Sequence, residues 1–281
     1  MAQEERPPAS VDALLPVEIA KKAEDTGVAK AGMPALRLFV LAVLAGAFIG
    51  LGAMAATTMW TGLSGVAPFG VARMAGGLVF ALGLILVVLG GAELFTGNNL
   101  MVMAAASRRI SLGALLRAWG IVFIGNLVGA VGTALLVFLA DHHLLADGGV
   151  GRTALAIGAA KTELPFLRAF FMGILCNVLV CLAVWLCYGA HSTTDKLLAI
   201  LFPIAAFVAA GFEHSVANMY FIPQAMLVDA FSDVALAPAP ASLGFGGLVA
   251  NLIPVTLGNI VGGGVLVGLV YWFIYLRKPA A

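Results

Sequence analysis

Charge is scarce in this chain. Of 281 residues only 10% are charged, with 15 Lys and Arg against 14 Asp and Glu, and the formal net charge is +1. A nucleic-acid partner calls for a strong basic surplus, so none is expected. Cysteine is scarce as well. Cys176, Cys181 and Cys187 share one apolar stretch and have no His partners at zinc spacing, so lipid-facing or helix-facing thiols explain them. There is no zinc-binding His pair at helical spacing, no nucleophile elbow and no phosphate-cradling loop. Neither an enzyme nor a cofactor is therefore expected. Residues Ala2 to Glu5 are polar and acidic, and no short apolar core follows them, so no cleaved signal peptide is expected.

Apolar residues, by contrast, make up 62% of the chain, and the mean hydropathy is +1.07. No soluble domain has this balance, and the membrane must be the main solvent. Residues 1–33 read as a soluble N-terminal segment, and 34–278 as a six-helix transmembrane channel domain. Within the first segment, Val11 to Val28 has the pattern of a short amphipathic helix, with Pro16 suited to its first turn, lying on the membrane surface. The six expected spans are Leu36 to Thr58, Met74 to Ser107, Leu115 to Ala140, Phe166 to Tyr188, Leu197 to Leu227 and Leu248 to Leu276. A single crossing needs roughly 20 apolar residues, so the second and fifth spans are overlong.

Both overlong spans are interrupted by polar residues. The second carries Glu93-Leu94-Phe95-Thr96-Gly97-Asn98-Asn99, and the fifth carries Gly211-Phe212-Glu213-His214-Ser215-Val216-Ala217-Asn218-Met219. Irregular backbone at membrane depth is tolerated only inside protein or beside a wet cavity. Both spans should be broken helices facing a pathway. An ionisable residue at that depth is costly and marks function by default, which singles out His214. Glu93 and Glu213 read as structural, accepting exposed backbone amides and offsetting the positive end of a half-helix. His142 and His143 fall in a solvated exterior loop, and His191 at a turn.

The two halves echo each other. Glu93 precedes Asn98 by five residues, as Glu213 precedes Asn218. Gly125-Asn126-Leu127-Val128-Gly129 in the third span matches Gly258-Asn259-Ile260-Val261-Gly262 in the sixth. Three crossings are an odd number, so the second half enters the membrane inverted, the architecture in which broken helices meet near the midplane. Small residues four apart allow close helix contact. Asn126 and Asn259 additionally need hydrogen-bond partners or a wet surface. Eleven of the 15 Lys and Arg fall on one side of a six-span layout, which places both termini in the cytoplasm.

A pore is the economical reading. Half-helix N-termini and neutral donors favour an anion, and Lys161, just outside the fourth span, would raise its concentration at the mouth. An imidazole titrates near working pH, with an unperturbed value of about 6.5. His214 could hand a proton to a weak-acid anion, which would then cross the apolar slab as a neutral acid. A water or glycerol pore would need an Asn-Pro-Ala pair, and Asn98-Asn99-Leu100 and Asn218-Met219-Tyr220 stand in its place. Joint catalysis by Glu213 and His214 is disfavoured, since adjacent helical residues point about 100° apart.

These motifs together resemble the formate/nitrite transporter family over nearly the whole chain, from Leu14-Leu15-Pro16 to the last helix. The signatures are Glu93 to Thr96, Gly125 to Gly129, Gly211 to Ser215 with Asn218-Met219, and Asn251 to Asn259. Leu179 to Trp185 and Tyr271-Trp272 are most similar to the formate-channel branch. The resemblance implies an all-α membrane protein with six transmembrane helices in an inverted 3+3 repeat, helices 2 and 5 broken, in an aquaporin-like arrangement. It also implies a homopentamer in lipid in a bacterial inner membrane, with one pore per protomer. Formate, nitrite and hydrosulfide are the implied substrates, extending to acetate or lactate. It implies that Thr96 hydrogen-bonds His214. Leu84 and Phe207 form the implied outer constriction, and Leu94, Phe95 and Val180 the inner one. Lys161, Asn177 and Asn259 match polar pathway positions, and the N-terminal segment is similar to a pH-sensitive plug. Gly97-Asn98-Asn99 departs from the small hydroxyl residues that formate channels often carry, and Glu-Leu-Phe-Thr-Gly also occurs in nitrite channels.

Overall fold

The computed structural model describes residues 12–63, 65–234 and 239–277. Residues 1–11 of the N-terminal segment, and residues 235–238 and Lys278 of the channel domain, lie outside the described residues. Six of the helices are long and apolar enough to cross a membrane. These are α2 (Ala35–Trp60), α3 (Phe69–Gly90), α5 (Leu112–Leu139), α7 (Phe166–Gly189), α8 (Thr193–Ala210) and the last helix. The last runs as α10 (Phe245–Asn259), a π-helical stretch (Ile260–Leu269) and α11 (Val270–Tyr275).

Both overlong apolar segments are interrupted where the polar residues fall. α3 ends at Gly91, and the chain resumes as a 3-10 turn (Gly97–Met101) and α4 (Val102–Ala106). α8 ends at Gly211, and α9 (Ser215–Phe231) follows. Gly91 and Gly211 both adopt the left-handed conformation, at φ 77° and 78°. A side chain there would cost about 1–2 kcal/mol, which is why glycine stands at each stop.

Two further helices depart from expectation. The N-terminal helix α1 (Pro16–Ala31) starts at its proline rather than at Val11, because proline suits the first turn. Its buried face of Ile19, Ala20 and Ala23 packs on Met103 and Trp185, so it docks on protein and not on a bilayer surface. The loop after the third span, read from the sequence as irregular, contains a 14-residue helix, α6 (Gly149–Thr162), which packs on α9. His143, just before it, is buried and stacked on Phe138 rather than solvated. His142 bonds the Thr58 hydroxyl, and burial and then His143 hold its pKa below the ordinary imidazole range.

The main helix pairs meet through glycine. A Cβ on Gly129 would run into the carbonyl oxygen of Val43, so α5 lies directly on α2. A Cβ on Gly262 would meet the carbonyl oxygen of Ile174, which sets the last helix on α7 in the same way. Close backbone approach of this kind is what small residues provide inside a membrane protein.

Candidate functional site: a buried imidazole between two cavities

Each break presents backbone groups that its own helix cannot satisfy. In the first, Asn126 Nδ2 donates to Glu93 O at 2.9 Å and to Ala42 O at 2.7 Å, and its Oδ1 accepts from Phe95 N at 2.9 Å. In the second, Asn259 Nδ2 donates to Glu213 O at 3.0 Å and to Gly173 O at 2.8 Å, and its Oδ1 accepts from Ser215 N at 2.9 Å. One asparagine side chain from the third helix of each half therefore clamps the break of that half.

The glutamate carboxylates have other partners. Glu93 Oε2 takes Asn98 Nδ2 at 2.8 Å and Lys30 Nζ at 2.9 Å. Glu213 takes Asn218 Nδ2 at 2.6 Å and Lys161 Nζ at 2.8 Å. They face a lysine and an asparagine, where the sequence suggested backbone amides. Burial opposes the charge on Lys30, but Glu93 beside it holds the Lys30 pKa above its ordinary value. Lys161 is thus paired at depth and not a free charge at the mouth. Lys30, which the sequence reading counted only as an inside charge, is its counterpart. Lys30 and Lys161 lie as far apart in the chain as Ala42 and Gly173, whose carbonyls the two asparagines hold. The repeated unit consequently begins before each first span, with α1 in one half and α6 in the other.

His214 occupies the N-cap of α9. Its Nδ1 accepts from Ala217 N at 3.0 Å, and its Nε2 lies 2.9 Å from Thr96 Oγ1. An Nδ1 that accepts an amide proton carries none itself, so in this arrangement the neutral ring bears its hydrogen on Nε2 and donates to the threonine. Thr96 is fully buried behind the ring, and Phe207 stacks on the ring with centroids 5.9 Å apart.

His214 also lines two cavities. One, of about 340 Å³, opens on the α6 side past Phe207, Lys161, Arg73 and Asn218. The other is a narrow gap of about 10 Å³ lined by Leu84, Leu94, Val180, Phe207 and His214. That is at the limit for one water molecule. Beyond it on the α1 side lies a cavity of about 330 Å³, lined by Leu84, Leu94, Glu93, Asn98 and Lys30. Two chambers, each with room for several water molecules, are therefore separated by a single apolar ring with the imidazole at its edge.

Several expected pathway positions lie elsewhere. Leu84 and Phe207 meet at the narrow gap beside His214, which they share with Leu94 and Val180, so residues expected at separate outer and inner constrictions line one gap. Phe95 packs edge-on against Trp119 and Phe123 and lines none of these cavities. Asn177 and Asn259 are fully buried and line none of these cavities either. Asn177 Nδ2 reaches Asn259 O, Asn99 Oδ1 and Thr96 O, at 2.7, 2.8 and 3.2 Å. Buried amides need such partners, and those partners tie the two breaks together instead of facing a permeant.

Glu213 and His214 have separate partners, so the pair forms no joint acid–base set. A charged wet chamber, a dry ring with one proton-bearing donor, and a second charged wet chamber suit passage of a small solute. Comparison with known proteins agrees. The chain is 45% identical over 275 residues to the formate channel FocA of Escherichia coli K12, covering 95% of this chain and 96% of that protein. It is 41% identical over 278 residues to the FocA of Haemophilus influenzae, covering 96% and 97%. A solved structure described as a pentameric formate channel with formate bound superposes with a TM-score of 0.80 at 44% identity, covering 86% of this chain and 98% of that one. Residues 17–273 match the family model for formate/nitrite transporters, and the chain belongs to that family.

Proposed function

We propose that the protein is a homopentameric channel for formate and related small monovalent anions in a bacterial inner membrane, with one pore in each protomer and the α1 side facing the cytoplasm. The observation that carries this reading is His214 at the dry ring between the two chambers. Each chamber carries cationic side chains beyond its one glutamate: Lys22, Lys30 and Lys196 on the α1 side, and Arg73, Lys161 and Arg168 on the other. Surplus positive charge at both ends raises local anion concentration without binding so tightly as to block exit.

His214 serves the crossing of the ring as proton donor. Charging the imidazole puts a proton on Nδ1 and breaks its bond to the Ala217 amide, so the charged state is favoured only while an anion neighbours it. Donation of the Nε2 proton to a carboxylate oxygen then breaks N–H and forms O–H. It leaves a neutral acid able to pass the apolar gap and a neutral ring with its hydrogen on Nδ1; loss of that proton to chamber water and uptake of another at Nε2 restore the bonds to Ala217 N and Thr96 Oγ1. Leu84, Leu94, Val180 and Phe207 keep water from bridging the chambers. Uptake of formate, nitrite and hydrosulfide by proteoliposomes at two pH values tests the reading. Formate uptake should exceed leak and rise as pH falls. No uptake of any of the three would overturn it, and a preference for nitrite or hydrosulfide would reassign the substrate. That alternative is favoured by Gly97-Asn98-Asn99, where Asn98 is committed to Glu93 and Lys30.

A further inference from the structure

The α6-side mouth contains a cation that has so far counted only toward the surplus charge of its chamber. Arg73 stands in the first turns of α3. Its Nε donates to Ala209 O at 3.0 Å and its Nη2 to Val208 O at 2.7 Å. These carbonyls belong to the last turn of α8, immediately before the left-handed Gly211. The guanidinium also lies over the Trp60 ring, 5.3 Å from its centroid. Two of its N–H groups are thus committed to neutral acceptors, and the remaining edge has donors to spare.

Among the described residues Arg73 pairs with no carboxylate, whereas Lys161 is matched by Glu213 at 2.8 Å. A lysine–glutamate pair is nearly neutral to an anion arriving from a distance. Arg168, on the same cavity, is exposed and has no fixing contact among the described residues. Arg73 is half-buried and held in place from two sides. It lines both the chamber of about 340 Å³ that contains His214 and a wider outer cavity of about 880 Å³, so it stands where the two meet. A planar guanidinium edge matches a small planar oxyanion in shape and charge.

We infer that Arg73 is the capture residue of the α6-side mouth, taking a small monovalent oxyanion on its unbonded guanidinium edge before the anion reaches Phe207 and His214. The inference rests on the proposed anion conduction. Its weak grip follows from the same geometry, because half-exposure and the two carbonyl bonds leave only part of the charge for the ligand.

The test is formate entry into right-side-out and inside-out membrane vesicles for the wild type, R73Q and R73K. R73Q should raise the half-saturation concentration about threefold to tenfold for entry from one face only, with the maximal rate unchanged, as expected for lost electrostatic capture. R73K should return it to within about twofold of the wild type, since the point charge is kept. An unchanged half-saturation concentration in R73Q overturns the inference. A maximal rate lowered equally from both faces also overturns it, since that marks Arg73 as a mere brace on α8. If R73Q does not assemble, R73K decides alone: a lowered maximal rate at wild-type half-saturation overturns the inference. A wild type that carries no formate defeats the proposed function instead, so the two failures are distinct.

Discussion

Asn126 and Asn259 hold the two helix breaks by the same three bonds. Each donates its amide to a glutamate carbonyl within the break and to a carbonyl of the helix beneath, and each accepts an amide proton from two residues past that glutamate. The two sites lie on opposite halves of the chain, yet Asn177 Nδ2 joins Asn259 O to Thr96 O and links one clamp to the other break. The breaks are thus rigid where irregular backbone would otherwise expose unpaired groups.

Removing either clamp should therefore be expensive. Asn126→Ala leaves the Phe95 amide and the Glu93 carbonyl without that partner in a dry site, and each orphaned group costs about 1–3 kcal/mol. A loss of about 3 kcal/mol is expected for Asn126→Ala and a similar loss for Asn259→Ala. Denaturation of the purified protein in mild detergent measures it. Equal, small effects within 0.5 kcal/mol, roughly the level of an ordinary surface substitution, would contradict the clamp.

The lysine–glutamate pairs predict non-additivity. Glu213→Gln strands the Lys161 ammonium, which is only 14% exposed, and breaking such a pair costs about 3–5 kcal/mol. Lys161→Met with Glu213→Gln removes both charges and should cost less than the single glutamate change. The same holds for Lys30 with Glu93. A double-mutant cycle on melting checks it, and simple additivity would show that the charges do not interact.

A pH effect follows from His142. Its folded pKa is depressed, so the native state binds fewer protons than the unfolded chain below about pH 6.5. Its contribution is fully present above that pH and is lost as pH falls toward the folded value. His142→Gln should flatten part of the drop in melting temperature between pH 7 and pH 5. An identical profile in the variant would remove His142 as a source.

Much of this was legible from residue pattern. The composition demanded six crossings, and the polar interruptions at Glu93 to Asn99 and Gly211 to Asn218 located both breaks, because irregular backbone at depth has few tolerated places. The role of Asn259 was not legible: a buried asparagine clamping a break and one lining a pathway look alike in sequence. Lys161 misled for the same reason, since Glu213 is far from it in the chain. α6 hid in a stretch read as a loop, because its short, weakly apolar sequence has no membrane-span signal. The convergence of Leu84, Leu94, Val180 and Phe207 on one gap depends on helix rotation, which periodicity does not set.

His214 has two tasks that a single substitution can separate. As N-cap it accepts the Ala217 amide, and as ring donor it faces the dry gap. Asparagine is a good N-cap and places an acceptor oxygen at a similar reach, so His214→Asn should keep α9 intact, within about 0.5 kcal/mol of wild-type stability. It carries no group that gives up a proton near neutral pH. Under the proposed mechanism, formate flux in proteoliposomes should fall about a hundredfold or more, the lower end of the range removed with a positioned proton donor. The rise in flux at low pH should vanish with it. His214→Phe keeps the ring volume against Phe207 but loses the cap, and should lower both stability and flux. A His214→Asn protein that melts like the wild type and keeps its pH-dependent flux would leave the ring a cap alone, with the proton coming from water in the chambers.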